Sequence, residues 1–520
     1  MPDRQILDFL MEYFVAEVNW TDQLVHIPWL LGKYQQWWLI EKVTLVLEVD
    51  LAVLILRICS YASQYLPSQG YTLNRIDGAL LADIRNMCDE TAGSLISISR
   101  ALDKRGSLIQ VQSMAFYGLK CQMEGRRNAF WESLDRAIKV AQAIGLHSEA
   151  VRVRQGLDEI EKEMERRTFC NLYIWDSSLS RQLDRTALLS GRLDPGNWPQ
   201  IYFESDNDSS ELAAVVPDPF TERLLQVRLA DFWRFVRPAP RSEFDMVVAE
   251  EIYDQFCRDY MAKLPCTFSL DPDKTWDKRL PKLQLQRQLL HIAIYESLCW
   301  HFRPVLLHHD KSMPSYKRVL LDAHKRALAV AALHTLQGVS QLHAMLSGSH
   351  RRFAGLIFST FDAAVLLVYL CTDPQFPPPC LGHKTCTICP KIDPLRPGMI
   401  TLSRQECIQA VQSALNWLRM LGEEISAADI GANTLTQLLS SVCKTDTPTT
   451  TAVATNGTEM KDVLSNQDIV ATTVQSDMPN WHSLNPLDLQ LLENFLPMDT
   501  SSSLGDMTSW PSLDSSMFSP

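Results

Sequence analysis

Cys380, His383, Cys386 and Cys389 fall at three successive spacings of three residues in "CLGHKTCTIC" (380–389), behind Pro377, Pro378 and Pro379. Thiolate and imidazole are the ligands zinc prefers, and Cys386 with Cys389 makes a proper C-x2-C half-site. A structural zinc site takes its other half-site from a separate turn, so that the ion is wrapped. Here all four groups lie within ten residues, and each three-residue step must turn tightly. The stretch reads as a loop with reduced thiols, and Cys380, His383, Cys386 and Cys389 stand as candidate ligands without a second half-site.

Other chemistry is thinner. The chain has no G-x-S-x-G, G-x-G-x-x-G, Walker loop or H-E-x-x-H, the patterns that build nucleophile elbows, phosphate cradles and zinc-protease sites. An all-α prenyl-diphosphate enzyme would need clustered carboxylates on facing helices to hold magnesium. The densest acidic cluster, "ESDNDSSE" (204–211), lies beside Pro199 in a loop-like stretch with no aspartate-rich partner, so no enzyme is expected. "HHD" (308–310) places two imidazoles side by side, and adjacent loop residues rarely converge on one ion without distant ligands. In "EKEMERRTFCNLYIWD" (161–176) Glu163 and Arg167 are spaced to pair at i, i+4 on a wet helix face, while Phe169, Leu172 and Tyr173 enter the core.

The elements that would hold these groups are helices. Phe130, Leu134, Ala137, Ile138, Ala141 and Ile144 line one face of 130–147, and Gly145 supplies the stop. Similar stripes run through 285–300, 317–346, 353–371 and 403–421, with Pro-rich or polar breaks at 193–220, 236–243, 264–281, 310–316 and 372–399. Alternating strand patterns are nearly absent, so an all-α body is expected over 1–443. The longest apolar runs, 363–371 and 51–56, fall well short of the roughly 20 residues a bilayer requires. The N-terminus carries Asp3, Arg4, Asp8 and Glu12 and so lacks the uninterrupted apolar core of a signal peptide.

Thirteen cysteines, an odd number, are scattered mostly singly in apolar helical patterns (Cys59, Cys121, Cys299, Cys407), as thiols of a reducing compartment would be. The net charge of −12 reduces to −4 once the eight acids between Asp462 and Pro520 are set aside, a segment with no Lys or Arg. A near-neutral body with an acidic tail offers no footprint for a polyanion such as DNA.

Residues 444–484 are dominated by Thr, Asn, Asp and Ser, too poor in apolar surface to offset ordering entropy, and read as a disordered linker. In 485–520 Asn485 can cap and Pro486 suits a first helical position. Leu487, Leu491, Leu492, Phe495 and Leu496 then form one apolar face among acids, with Trp510 and Phe518 further on. Such a segment folds on a partner that buries its face.

Several stretches, in order, resemble the middle homology region of fungal zinc-cluster transcription factors. "LMEYFVAEVNWTDQLVHIPWL" (10–30) is similar to its opening, an aromatic-rich helix and then an extended segment at His26, Ile27 and Pro28. "AFWESLDRAIKVAQAIGLH" (129–147) resembles the helix ending in Gly145, Leu146 and His147, and "EMERRTFCNLYIWDSSLSRQLDR" (163–185) the charged segment that follows. Arg303 and Pro304 in "HIAIYESLCWHFRPVLL" (291–307) match a later helix. The usual Gly-Arg-Pro is replaced by "QLDR" (182–185), and an aromatic near Cys170 is missing.

The resemblance implies an all-helical regulatory domain in a nuclear transcriptional regulator, an activator of a metabolic or secondary-metabolite gene cluster. Coactivator or general transcription machinery is the expected partner of the acidic tail, with a homo- or heterodimer as a further expectation and no membrane. The family's six-cysteine zinc cluster, which would carry both the zinc and the contact with promoter DNA, has no counterpart in this sequence. The expectation is therefore a regulator lacking that part, through truncation or loss, with a co-regulator or inhibitor of a full-length relative as the alternative.

Overall fold

The computed structural model describes residues 1–66, 73–102, 105–199, 217–236, 244–308, 314–346, 355–378, 393–423 and 425–445. The chain divides into two units, 1–470 and 471–520, and every described residue belongs to the first. As expected, the body is all-α: among the described residues there are sixteen α-helices and a single hairpin of two-residue strands. That hairpin pairs Arg75 with Leu80 and Ile76 with Ala79 around Asp77 and Gly78. Both turn residues have positive φ, 48° and 80°, which Asp-Gly supplies at little cost.

The N-terminal half comprises α1 (Arg4–Tyr13), α2 (Ile27–Trp37), α3 (Val46–Ala62), α4 (Leu81–Leu102), α5 (Leu108–Met123), α6 (Arg127–Ala143), α7 (Glu149–Gln155) and α8 (Glu159–Gln182). α3 is apolar all round and packs against α1, α2, α4 and α5. Leu54, Leu56 and Ile58 on it are fully buried, each worth about 2 kcal/mol of transfer free energy. Its two buried charges are answered from neighbouring segments: Asp50 accepts from Ser99, Ser107 and Gln110, and Arg57 pairs with Asp89. α5 and α6 approach closely at Gly118, where an added Cβ would fall 2.5 Å from the Phe130 ring.

The second half comprises α9 (Thr221–Phe235), α10 (Met246–Asp259), α11 (Leu283–Phe302), α12 (Ser315–Met345), α13 (Ile357–Leu370), α14 (Arg396–Thr401), α15 (Arg404–Gly422) and α16 (Ser426–Thr445). Helices neighbouring in sequence pack on one another, α11 on α12, α12 on α13 and α15 on α16, while α9 joins α8 to α11. Starts are capped where the sequence offers an oxygen. Ser107, Asp158, Asp245 and Ser403 each accept from a backbone N–H in the first turn, which satisfies one orphan donor apiece.

Stops are equally local. After α6, Gly145 takes φ 86° while Leu146 N–H returns to the Ala141 carbonyl at 2.9 Å, as a left-handed cap requires. After α8, Asp184 takes φ 49° and Arg185 N–H returns to the Ser180 carbonyl at 2.8 Å. Asp is among the few side chains that tolerate this backbone, so "QLDR" ends α8 in a left-handed turn. One local expectation is corrected. Only His26 is extended; Ile27 and Pro28 open α2, because proline's fixed φ and missing N–H suit a first helical turn.

Candidate functional site

α8 carries the densest chemistry, and its charges are not on a wet face. Glu163 is 0% exposed and Arg167 2%, and their ion pair at 3.1 Å lies in the protein interior beside Arg166, 3.3 Å from the same carboxylate. The i, i+4 spacing was right and the solvation wrong, because distant segments cover the pair. Arg167 also donates to Gln23 at 2.9 Å and lies over the Phe220 ring. Asn171 donates to the Asp22 carbonyl and Gln112 to that of Leu24, both at 2.7 Å. Residues 19–26 are thus strapped onto α5 and α8. Phe169, Leu172 and Tyr173 are buried as their spacing requires.

Further along α8, Asp176 is fully buried and accepts from the N–H groups of Leu188 and Leu189 at 2.8 and 3.0 Å and from Arg234 at 2.6 Å. Arg223 on α9 pairs with Glu222 at 2.8 Å and Asp22 at 3.4 Å. Burial pushes the Asp22 and Glu222 carboxyls upward while Arg223 holds them down. These charges join α8, α9 and the 19–26 segment, so the signature stretch 163–185 holds the fold together.

Beside this network lies a cavity of about 260 Å³, walled by α3, α5, α8, α9, α11, α12 and α13. Tyr61, Tyr65, Trp175 and Trp300 line it together with aliphatic side chains and with Glu296 and Asp362. Gln182 donates to Glu296 Oε1 at 2.8 Å. Burial pushes the Glu296 carboxyl upward, and the nearby Asp362 pushes it further. Asp362 has the fully buried Arg127 at 3.7 Å, the guanidinium lying over the Phe358 ring. Helical periodicity alone singles out neither carboxylate. Each is the one acid in its helix, α11 and α13, and a lone acid within an apolar stripe is the signal that could have found them.

Cys380, His383, Cys386 and Cys389 lie outside the described residues, as do 204–211 and the tail residues Leu487, Leu491, Leu492, Phe495, Leu496, Trp510 and Phe518. His308 is half-buried against Phe244, with Nδ1 at 3.3 Å from the Pro304 carbonyl. Among the described residues no three His, Cys, Asp or Glu side chains come together as a metal site would need, and no helix is long and apolar enough to cross a membrane. The thiols of Cys59, Cys121, Cys170 and Cys299 are pushed upward by burial, the opposite of an activated nucleophile.

Comparison with known proteins agrees with a regulatory role. Residues 48–199 match the family model described as the fungal specific transcription factor domain. Over 449 residues the chain is 42% identical to transcription factor xilB of Penicillium rubens, covering 84% of this chain and 66%, just under two thirds, of the relative. Over 488 residues it is 36% identical to the probable transcription factor sol4 of Alternaria solani, covering 92% of this chain and 84% of the relative. No solved structure matches. The chain is no enzyme; it belongs to the fungal transcription factors that carry this domain.

Proposed function

We propose that this protein is a pathway-specific transcriptional activator acting in the nucleus, with the helical body as its regulatory part and 485–520 as its activation surface. The observation that carries the reading is the likeness to two proteins named as transcription factors, which runs through 84% and 92% of this chain. Its physical basis is the tail's composition. Acids keep Leu487, Leu491, Leu492, Phe495, Leu496, Trp510 and Phe518 solvated until a coactivator groove buries them. A metabolic or secondary-metabolite gene cluster is the target class, and zinc belongs with a DNA-binding cluster for which this chain holds no six-cysteine array.

The test is to fuse residues 462–520 to a heterologous DNA-binding domain and measure reporter output. Activation should appear and should fall at least fivefold with Leu491→Ala and Phe495→Ala together; no activation, or activation indifferent to that pair, refutes the assignment. The near-neutral charge of residues 1–461 supports a second reading, a co-regulator that reaches promoters through a full-length relative. Gel-shift titration at physiological salt separates the two. Direct promoter binding by the 520-residue chain removes the co-regulator reading.

A further inference from the structure

At about 260 Å³ the cavity falls just below the roughly 300–1,000 Å³ that small-molecule sites usually occupy, so it suits a small ligand. Its ionisable lining is balanced, with Asp22, Glu296 and Asp362 against Arg181, Arg223 and Arg303. The balance is not uniform in what remains available. Asp22 and Arg223 are committed to each other at 3.4 Å, with Thr21 donating to Asp22 at 2.9 Å and Glu222 holding Arg223 at 2.8 Å. Arg181 donates to Ser177 at 2.9 Å and lies over the Trp300 ring.

Glu296 and Asp362 differ. Among the described residues, the one hydrogen bond to Glu296 comes from Gln182 to Oε1, which leaves Oε2 able to accept. Asp362 is half exposed, and its ion pair with Arg127 stands at 3.7 Å, longer than a hydrogen bond. The remainder of the wall is aromatic and aliphatic, with Trp175 set edge-on against Phe130 at 5.9 Å between ring centres.

We infer that this cavity binds an uncharged small molecule with an aromatic or alicyclic body, its hydroxyl or N–H donors directed to Glu296 and Asp362. An anion would meet two carboxylates with spare lone pairs. A cation would add to Arg127 and Arg181, which already offset those carboxylates. A neutral donor fills the open acceptor positions and leaves the charge balance unchanged, while the two Trp and two Tyr rings cover its apolar body.

The experiment uses the purified 520-residue chain and three probes on one skeleton: 2-naphthol, 2-naphthoic acid and 2-(aminomethyl)naphthalene. Equilibrium dialysis and quenching of tryptophan fluorescence measure each affinity at pH 7. 2-Naphthol should bind saturably and at least tenfold more tightly than either charged probe. Tighter or equal binding of the acid or the amine, or saturable binding of none, overturns the inference on wild-type protein alone. Glu296→Leu, similar in volume, should weaken 2-naphthol at least fivefold, and Ala293→Trp, which fills the cavity from α11, should abolish it. Unchanged affinity in either variant with native helical circular dichroism likewise overturns it. Each readout is binding, so the outcome stands apart from the transcriptional assay.

Discussion

Glu163 and Arg167, one turn apart on α8, form a 3.1 Å ion pair with neither side chain more than 2% exposed. Paired and hydrogen-bonded charges persist in a low-dielectric interior, whereas a charge left alone there does not. Glu163→Ala removes the carboxylate that Arg166 and Arg167 share, leaving Arg167 with Gln23 and the more distant Asp218, and should cost about 3–5 kcal/mol. Urea unfolding followed by circular dichroism checks it; a cost under about 1 kcal/mol would mean that the pair is wet after all.

Asp176 ties the chain after α8 back onto the helix through Leu188, Leu189 and Arg234. Asp176→Ala removes all three acceptor contacts and leaves the mostly covered Arg234 guanidinium without its carboxylate, so about 3–5 kcal/mol should be lost. The loss should be visible as faster proteolytic cleavage within 183–190 than elsewhere in the body. Uniform protection of that segment in the variant would count against the role.

Burial pushes the Glu165 carboxyl up to about 7, outweighing the pull of Arg152. The folded state therefore keeps a proton that the unfolded chain gives up near 4.5. Stability is fully present below the unfolded value, falls as pH rises from there to about 7, and levels off above. Over that window the loss is at most about 3 kcal/mol. Glu165→Gln should remove it, so the variant should exceed wild type at pH 7.5 and match it near pH 4.5 in urea titrations. A parallel pH profile for the two proteins would rule this out.

Gly118 has no room for a methyl group, because Phe130 on α6 would stand 2.5 Å from it. Gly118→Ala should destabilise by about 1–3 kcal/mol despite alanine's better helix propensity. Thermal unfolding of Gly118→Ala with and without Phe130→Leu checks the cause. The smaller partner should recover most of the loss, and equal loss in both backgrounds would place the strain elsewhere.

Local structure was largely legible in the sequence. The stripe from Phe130 to Ala141 is buried on one face, Gly145 ends the helix, and Arg303-Pro304 closes α11 by taking the chain into a tighter turn. What spacing could not convey was solvent. An i, i+4 pair reads identically in water and in a core, and the groups that cover Arg167 come from Gln23 and from Asp218 and Phe220 just before α9. The cavity was hidden for the same reason, since its walls are drawn from seven helices and from the Thr21–Asp22 segment. Residues 380–389, the most metal-like stretch in the sequence, and the helix expected in the tail lie outside the described residues.

The strap formed by residues 19–26 bears on where this protein can be cut. Asp22 reaches Arg223 on α9, Gln23 reaches Arg167 on α8, and Leu24 takes the Gln112 amide of α5. The segment matching the family model begins only at residue 48. A fragment trimmed to that match would discard the strap and also α1, whose Leu7, Leu10 and Met11 are wholly buried. Family boundaries drawn by sequence likeness thus fall inside the packed body. A fragment that keeps these contacts has to begin at or before Arg4 and to include α9, beyond either edge of the recognised domain.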